Sequence, residues 1–451
     1  MFKRILVANR GEIALRIIRA CHELDIEAVA VYSSADSESL HVKEADRSIC
    51  IGPAPSSESY LNIKNIIGAA NMANCDAIHP GYGFLSENAD FAQACIDNDL
   101  VFIGPSPSIL RISGNKVELK NIVKKARVPV IRGTKRPVKN LREALRKARW
   151  IRYPVMIKAS AGGGGRGMRI IRNKKELISS LQIAKTEAKS YFNDDTIFLE
   201  KYVEKPRHIE AQLLVDKKGY TIFLGERDCT IQRRHQKVIE ESPSTAIDRR
   251  KRKQLIELAL RIAKVIKYEN LGTVEFLMGK KGNFYFMEIN PRIQVEHALT
   301  EMVTGIDLAK QQILISSGEE ISIKQGDIKP NGHAIEYRIN SEDPDNNFMP
   351  SPGLISFYHP PGGPGIRVDS ALYQGYKVLP HYDSLIAKLI VWGKDRDEAI
   401  SRSKRALKEF IIEGVPTTIP FHLKILSNPK FLSGEIHTDF INEMLEEKSS
   451  I

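Results

Sequence analysis

Residues 286–297 read FMEINPRIQVEH, and they are the most informative segment of the chain. Five polar side chains in it alternate with apolar ones: Glu288, Asn290, Arg292, Gln294 and Glu296. A period of two places all five on one side of an extended chain. Because Pro291 cannot donate to a strand ladder, we expect a strand that runs into a bent loop. Five different polar functions predict a functional site, whereas the structural alternative is a polar hairpin with ordinary salt bridges.

The residues before this segment predict its partner strand. Thr273–Leu277 and Phe284–Glu288 are both rich in β-branched and aromatic residues, and Gly279–Asn283 separates them as a turn. Two such runs joined by a short glycine-containing turn are typical of an antiparallel hairpin. We therefore expect Glu275 to lie beside Glu288 on the neighbouring strand.

The residue types in this hairpin suggest their chemistry. Glu275 and Glu288 would supply the hard oxygen ligands that magnesium prefers, and Asn290 would add a neutral oxygen. Arg292 offers a bidentate grip on a carboxylate-like or phosphate-like anion. Glu296 is a candidate base.

A glycine loop, Gly162–Gly167, lies between two predicted strands, Val155–Lys158 and Met168–Ile171. It contains the letters of a dinucleotide fingerprint, but a strand follows where that fingerprint needs a helix, and no Walker lysine is present. The loop is therefore interpreted as a cover whose backbone N–H groups fold over phosphates, with a simple hairpin tip as the alternative. Lys158 and Lys116 are candidate phosphate ligands, or else surface lysines.

The chain divides into three regions. In residues 1–114 short apolar strands alternate with a helical period, which predicts a doubly wound parallel α/β sheet. Residues 115–317 form a second region of strands and basic helices. Residues 330–446 contain strand-like runs, including His333–Ile339 and Ile355–Tyr358, and then a helix, which predicts an α+β third region.

Composition narrows the class of protein. The 451 residues have 67 basic and 55 acidic side chains, a net charge of +12. The basic stretches Lys116–Arg152 and Arg249–Lys253 carry apolar residues at helical spacing, so we expect helices with solvated basic faces and no nucleic-acid binding. Five scattered cysteines favour free thiols. The sequence shows no leader and no membrane span, so the expected location is the cytoplasm.

Several long motifs resemble those of the biotin carboxylases. They are His79–Asn88, the glycine loop, Glu200–Val203, Arg207–Glu210, Glu226–Lys237, Glu288–Glu301 and Tyr337–Pro344, and they span essentially the whole chain. The resemblance implies an N-terminal biotin carboxylase domain, a central ATP-grasp fold with a lid at about 132–203, and a C-terminal biotin carboxylase domain, over the three regions above.

The resemblance also implies roles for individual residues. Those that look like ATP ligands are Lys116, Lys158, Gly162, Gly163, Gly164, Gly165, Met168, Glu200, Lys201, Val203, His208, Gln232, His235, Leu277 and Glu288. The residues that look like the family's magnesium ligands are Glu275, Glu288 and Asn290. The residues that look like the family's bicarbonate site are Lys237, Arg292, Gln294 and Val295, the last through its backbone. Glu296 is similar to the family's base, and Arg338 to the group that steadies biotin's ureido oxygen.

The activity so implied is carboxylation of biotin with MgATP and bicarbonate, with Mn²⁺ as an alternative ion. The expected partners are a biotin carboxyl carrier protein, a second copy of the chain and a carboxyltransferase subunit, because the sequence has neither a Met-Lys-Met biotinylation segment nor room for a carboxyltransferase. Two alternatives remain open: another ATP-grasp ligase that forms a carboxylate–amine or carbamoyl product, and a nucleotide sensor without catalysis.

Overall fold

The computed structural model describes residues 1–159, 168–192 and 194–449. The first region is a parallel sheet with strand order β3-β2-β1-β4-β5 and helices on both faces. Its elements are β1 Arg4–Val7, α1 Gly11–His22, β2 Glu27–Tyr32, α2 Leu40–Glu44, β3 Arg47–Cys50, α3 Ile63–Met72, β4 Ala77–His79, α4 Ala89–Ile96, β5 Val101–Phe102 and α5 Pro107–Gly114. The predicted doubly wound parallel sheet is confirmed.

Strand β1 shows why this sheet is buried on both sides. Ile5 and Val7 belong to one apolar cluster, whereas Leu6, between them, belongs to another. Alternating side chains therefore serve two cores, as in parallel sheets covered by helices. The strand order reverses between β1 and β4, and ligands of open α/β sheets bind beyond the carboxyl ends of strands at such a point.

The second region contains most of the remaining strands and helices. Its elements are α6 Lys116–Lys125, α7 Leu141–Ile151, β6 Val155–Ala159, β7 Met168–Ile171, α8 Lys174–Phe192, β8 Ile197–Lys201, β9 Arg207–Val215, β10 Thr221–Arg233, β11 Gln236–Ser242, α9 Arg249–Ile266, β12 Asn270–Met278, β13 Phe284–Asn290, α10 His297–Thr304 and α11 Leu308–Ser316. The small antiparallel sheet β7-β6-β8 has its own apolar core.

The basic stretch Lys116–Arg152 is not helical throughout, which corrects the sequence-based expectation. Helix α6 ends at Lys125, and α7 begins at Leu141. Pro129 and Pro137 lie between them, and proline lacks the N–H that a helix interior needs. The intervening chain is extended and forms single bridges to β13 and β8.

The third region joins the sheet of the second. Its elements are β14 His333–Asn340, β15 Glu342–Asp343, β16 Met349–Pro350, β17 Gly353–Leu354, β18 Phe357–His359, β19 Ile366–Ser370, β20 Lys377–Val378, β21 Leu385–Gly393, α12 Arg396–Glu409, β22 Ile411–Glu413, α13 Ile419–Ile425, α14 Pro429–Leu432 and α15 Phe440–Ser449. One sheet with the order β13-β12-β9-β10-β11-β14-β21-β19 therefore crosses both regions.

The predicted strand Ile355–Tyr358 is wrong in its bounds, because β17 ends at Leu354 and β18 begins at Phe357. Ile355 is fully buried between them and packs into the core of the third region instead of continuing a strand.

Among the described residues, no helix is long and apolar enough to cross a membrane.

Candidate active site

A cavity of about 1310 Å³ opens between the three regions. Its wall includes most of the predicted site residues: Lys116, Lys158, Met168, Glu200, His208, Gln232, His235, Lys237, Glu275, Leu277, Glu288, Asn290, Arg292, Gln294, Val295 and Arg338. Lys201, Val203 and Glu296 are not in this wall. The glycine loop of the predicted lid, with Gly162, Gly163, Gly164 and Gly165, lies outside the described residues.

The predicted magnesium set is brought together by the hairpin of β12 and β13. Glu275 and Glu288 are direct partners in its register, as the sequence predicts. The Asn290 side-chain amide donates to Glu275 Oε1 at 2.7 Å, and the Lys116 ammonium lies 2.9 Å from Glu288 Oε2. Two carboxylates and an amide oxygen at one end of a hairpin fit a hard divalent cation such as Mg²⁺.

Glu275 is buried beneath this position and has two cationic neighbours. His208 Nε2 lies 3.0 Å from Glu275 Oε2, and Lys237 Nζ donates to Oε1 at 3.1 Å. Burial alone would raise the pKa of Glu275, but Lys237 and His208 bring it well below the ordinary value. The same pairing raises the pKa of His208 despite its burial.

Lys237, on β11, is the centre of the charged cluster. Its ammonium donates to three carboxylates: Glu210, Glu275 at 3.1 Å and Glu296 at 2.7 Å. Burial opposes the charged form, yet these three acids raise the pKa of Lys237 well above its usual value. Charge-assisted bonds of this kind fix the ammonium at the cavity wall.

Glu210 and the buried Arg227 had no predicted role, although the sequence motifs contain them. The Arg227 guanidinium donates through Nε and Nη2 to Glu210 Oε2, at 3.1 and 3.0 Å. Both side chains are fully buried. A charged residue at a strand position that faces a core is the signal that could have identified them, since such residues are rarely buried unless paired.

Glu296, the predicted base, lies directly behind the wall and is fully buried. Its Oε1 accepts from Lys237, and its Oε2 accepts from Arg338 Nη2 at 2.9 Å. Burial would raise the pKa of Glu296, but Lys237 and Arg338 lower it below the ordinary value. The group is therefore a carboxylate at neutral pH and is able to accept a proton.

Arg338 reaches this cluster from β14, in the third region. Besides Glu296, it holds Glu240 of β11, with its Nε 2.6 Å from Glu240 Oε1. Glu240 is the register partner of Glu336, and both are fully buried. Burial raises the pKa of Glu240 to about 7 even beside Arg338, and raises that of Glu336 well above its usual range. Protonation of Glu240 and Glu336 therefore leaves less negative charge around the Arg338 guanidinium than two ionised carboxylates would.

The anion-binding residues follow β13 in a loop. Arg292 Nε donates to Glu87 of the first region at 2.6 Å, and Arg292 Nη1 donates to the carbonyl of Ile293 at 3.2 Å. Gln294 is buried at the wall, and its Nε2 has no hydrogen-bond partner among the described residues. Buried donors rarely stay unpaired, so this amide is suited to an anionic ligand in the cavity.

The nucleotide side of the cavity is built around Glu200 of β8. Lys158 Nζ lies 2.6 Å from Glu200 Oε2, and Lys120 donates to Oε1. Burial would raise the pKa of Glu200, but the two lysines lower it. Lys120 lines the cavity and was missed by the sequence analysis because a helix surface lysine carries no distinctive pattern.

The remaining predicted nucleotide residues fall in two groups. Gln232 Nε2 lies 2.8 Å from His208 Nδ1, and His235 follows at the β10–β11 turn with a positive φ of 66°. These side chains lie at the cavity. The Lys201 ammonium instead donates to the carbonyls of Arg152 and Tyr153 at 3.1 and 3.0 Å.

Three family models match the chain. Residues 1–110 match the biotin carboxylase N-terminal domain, residues 115–324 the ATP-binding domain of the carbamoyl-phosphate synthase L chain, and residues 336–443 the biotin carboxylase C-terminal domain. Together the matches leave only short connecting and terminal segments outside.

Curated relatives and solved structures agree with these matches. Biotin carboxylase 1 of Bacillus subtilis is 54% identical over 98% of both chains. A pyruvate carboxylase subunit of Methanothermobacter thermautotrophicus is 52% identical over 98% of this chain and 90% of its own. A Campylobacter jejuni biotin carboxylase structure superposes with a TM-score of 0.94 at 48% identity, covering 98% and 99% of the two chains.

A second structure was solved with ligands. It is the biotin carboxylase domain dimer of the Hydrogenobacter thermophilus 2-oxoglutarate carboxylase, in complex with MgADP, ADP and bicarbonate. It superposes with a TM-score of 0.93 at 48% identity and covers 98% of each chain. The matched domains, the identity over nearly the full length and the common architecture lead to one conclusion: the chain belongs to the biotin carboxylase family of ATP-dependent ligases.

Proposed function

We propose that this chain uses MgATP and bicarbonate to carboxylate biotin that is attached to a separate carrier protein. The observation that carries this proposal is the continuous charged cluster Lys237–Glu296–Arg338 at a wall that also contains Glu275, Glu288 and Asn290. An anion-binding cation and a second cation from another region each stand within hydrogen-bond reach of the base. A carboxylation in two steps needs this combination.

In the first step bicarbonate becomes a nucleophile. Lys237, Arg292, Gln294 and the Val295 backbone bind it, and the Glu296 carboxylate takes the proton of its hydroxyl group. A bicarbonate oxygen then attacks the γ-phosphorus of ATP, the bond to the β-phosphate oxygen breaks, and ADP leaves with that electron pair. The product is carboxyphosphate.

The metal position is assigned to Glu275, Glu288 and Asn290. When bound there, Mg²⁺ would neutralise charge on the transferring phosphoryl group. Lys116 forms an ion pair with Glu288, so it lies close to where the phosphates are expected. Lys116 is therefore suited to bind phosphate oxygens once the metal occupies the carboxylates.

In the second step carboxyphosphate breaks into carbon dioxide and phosphate. Phosphate takes the proton from the ureido N1 of biotin, and N1 forms the new bond to the carbon of carbon dioxide. Negative charge develops on the ureido oxygen meanwhile. Arg338 is a cation already at the wall, so it is placed to stabilise that charge without reorganisation.

The other residues are proposed to hold the nucleotide. They are Lys116, Lys158, Met168, Glu200, Lys201, Val203, His208, Gln232, His235, Leu277 and Gly162 to Gly165. We propose the three domains as 1–114, 115–317 and 330–446, with a lid at about 132–203. The separate core of the small sheet, from Val138 to Leu199, supports the lid as a unit.

Partners and location complete the proposal. We infer that a biotinylated carrier and a carboxyltransferase subunit supply the other functions, and that the chain forms a homodimer. The pyruvate carboxylase relative and the domain dimer among the solved structures support this view. All five cysteines are free, which supports a cytoplasmic location.

Phosphate release from ATP tests the function directly. The purified chain is incubated with MgATP and bicarbonate, with and without free biotin. We expect biotin to stimulate phosphate release and carboxybiotin to form from labelled bicarbonate. A ligase that activates a different acid would show no stimulation by biotin, and a nucleotide sensor would show no turnover.

Arg338→Ala separates the two steps. We expect loss of biotin carboxylation by about 100-fold, because a cation is removed from the site where charge develops. Slow bicarbonate-dependent ATP hydrolysis without biotin should persist, because Lys237 still holds the Glu296 carboxylate when the bond from Arg338 is lost. Both activities are measured in one preparation.

A matched control is Arg396→Ala, which removes the 2.7 Å ion pair between Arg396 and Glu241. Glu241 lies on β11, in the same sheet as Arg338. Arg396 does not line the cavity. We expect both activities of this variant to stay near wild type. Equal loss of both activities in Arg338→Ala would contradict a role specific to biotin.

A further inference from the structure

The proposed mechanism does not use Lys388, although its ammonium touches the site loop. Lys388 lies on β21 and is fully buried. Its Nζ donates to the carbonyl oxygen of Val295 at 2.8 Å. That carbonyl belongs to the peptide that joins Val295, at the cavity wall, to Glu296. The ammonium is therefore bound to the backbone between an anion-binding residue and the base.

The other contacts of Lys388 come from the first and third regions. Its Nζ lies 3.2 Å from Glu12 Oε1 on α1 and 3.6 Å from Asp369 Oδ2 on β19. Glu12 in turn accepts from the Tyr82 hydroxyl, and Tyr82 lines the cavity. Glu12, Asp369 and the nearby Glu336 raise the pKa of Lys388 against the effect of burial, so the group stays charged. All three regions thus meet at one ammonium.

The register of the sheet pairs Lys388 with Arg338. The two residues are direct partners on β21 and β14, so their side chains lie on the same face. Arg338 holds the carboxylate of Glu296, and Lys388 holds the peptide that precedes it. Like charges opposite each other on neighbouring strands are destabilising. Here each cation has its own carboxylates, and together they fix Glu296 at both its side chain and its backbone.

The loop between β13 and α10 needs such support. Residues 291–296 belong to neither element. Glu296 is the N-cap residue of α10, and its side chain makes no capping hydrogen bond to that helix. A reacting group displaced by about 1 Å can lose about 100-fold in rate, so the conformation of this loop matters to the reaction. The buried ammonium is a rigid donor because burial leaves it little freedom.

From these contacts we propose that Lys388 is a positioning residue, which fixes the peptide between Val295 and Glu296 and so holds the bicarbonate site and the base in register. The proposal rests on the proposed function. Lys388 links the third region to the first chemical step through the backbone of the loop, whereas Arg338 contacts the Glu296 side chain and is also proposed to act in the second step. Loss of Lys388 should affect bicarbonate use more than nucleotide use.

The test compares Lys388→Met with Asp369→Asn in the full chain. The first variant removes the donor to Val295. The second disturbs the same buried cluster and leaves that donor in place. The Michaelis constants for bicarbonate and for ATP are measured in biotin-dependent turnover, and hydrogen exchange is followed over residues 288–304.

For Lys388→Met we expect the KM for bicarbonate to rise by at least about tenfold, while the KM for ATP changes by less than about twofold. Exchange at the loop should become faster than in wild type. Asp369→Asn should show neither effect. An equal rise of both Michaelis constants, or unchanged values for both, would overturn the proposal.

Two further outcomes are decisive. If Lys388→Met does not fold, it is replaced by the double variant Lys388→Met/Asp369→Asn, which buries one charge fewer. Failure of both variants to bind MgATP would reject a positioning role in favour of a role in folding. If the wild-type chain shows no biotin-dependent turnover, the proposed function fails. Faster exchange confined to this loop would then still support the positioning role, and unchanged exchange would reject it.

Discussion

Glu296→Gln should lower biotin-dependent ATP turnover by at least about 100-fold, because it removes the base that accepts the proton of bicarbonate. The wild-type carboxylate accepts from Lys237 at 2.7 Å and from Arg338 at 2.9 Å. Glutamine has a similar shape but cannot take a proton, and its NH₂ group must face one of the two cations. That NH₂ group cannot accept from a cation, so one of the two bonds is lost, whereas the size of the side chain and the other bond are kept.

The measurement is phosphate release at saturating MgATP, bicarbonate and biotin, together with thermal unfolding to verify the fold. Glu240→Gln is the matched control. Glu240 is equally buried and also accepts from Arg338, at 2.6 Å, but burial already raises its pKa to about 7, so its neutral form is common near neutral pH. We expect the control to lose less than about tenfold. Near-normal turnover in Glu296→Gln would show that the base lies elsewhere.

Lys237→Met should have two large effects. Turnover should fall by at least about 100-fold, because the cation that binds bicarbonate beside the base is lost. The free energy of unfolding should fall by about 3–5 kcal/mol, because removing one partner of a buried ion pair leaves the other charge uncompensated. Here the carboxylates of Glu210, Glu275 and Glu296 all lose the same partner.

The pH dependence of this loss has a definite sign. In the wild type the pKa values of Glu275 and Glu296 are lowered, so their contribution to stability is present above the ordinary carboxyl pKa of 4.5 and is lost as the pH falls through the lowered values. Without Lys237, fewer cations oppose the effect of burial, so the pKa values of both acids rise and the variant takes up protons at a higher pH than the wild type. The difference in stability between wild type and variant should therefore be larger at about pH 8 than at about pH 5.

Urea unfolding at the two pH values measures this difference. Lys120→Met is a suitable control, because Lys120 also lines the cavity and is more exposed, and Glu200 is its one ion-pair partner in the part of the chain that the structure describes. We expect it to lose about 1 kcal/mol or less. A pH-independent difference for Lys237→Met would mean that the three carboxylates do not depend on this ammonium.

Local sequence patterns predicted the parts of this protein in which neighbours in space are neighbours in sequence. The hairpin of β12 and β13 follows from the two strand patterns and the turn Gly279–Asn283, whereas the direct pairing of Glu275 with Glu288 also depends on a one-residue shift of the register beside Glu275. The parallel first region is likewise visible in its alternation of strand and helix. The long motifs identified the family, and hence the residues expected at the cavity.

The tertiary structure alone decided the contacts between residues far apart in sequence. Lys237 meets Glu296 across 59 positions, Lys388 meets Val295 across 93, and Arg292 meets Glu87 across 205. The sheet that continues from β11 into β14 brings Arg338 to the base, and no periodicity in either segment marks that edge. The physical reason is that the hydrophobic periodicity of a segment indicates which of its faces is buried, whereas the residues that pack against that face are determined by the fold of the whole chain.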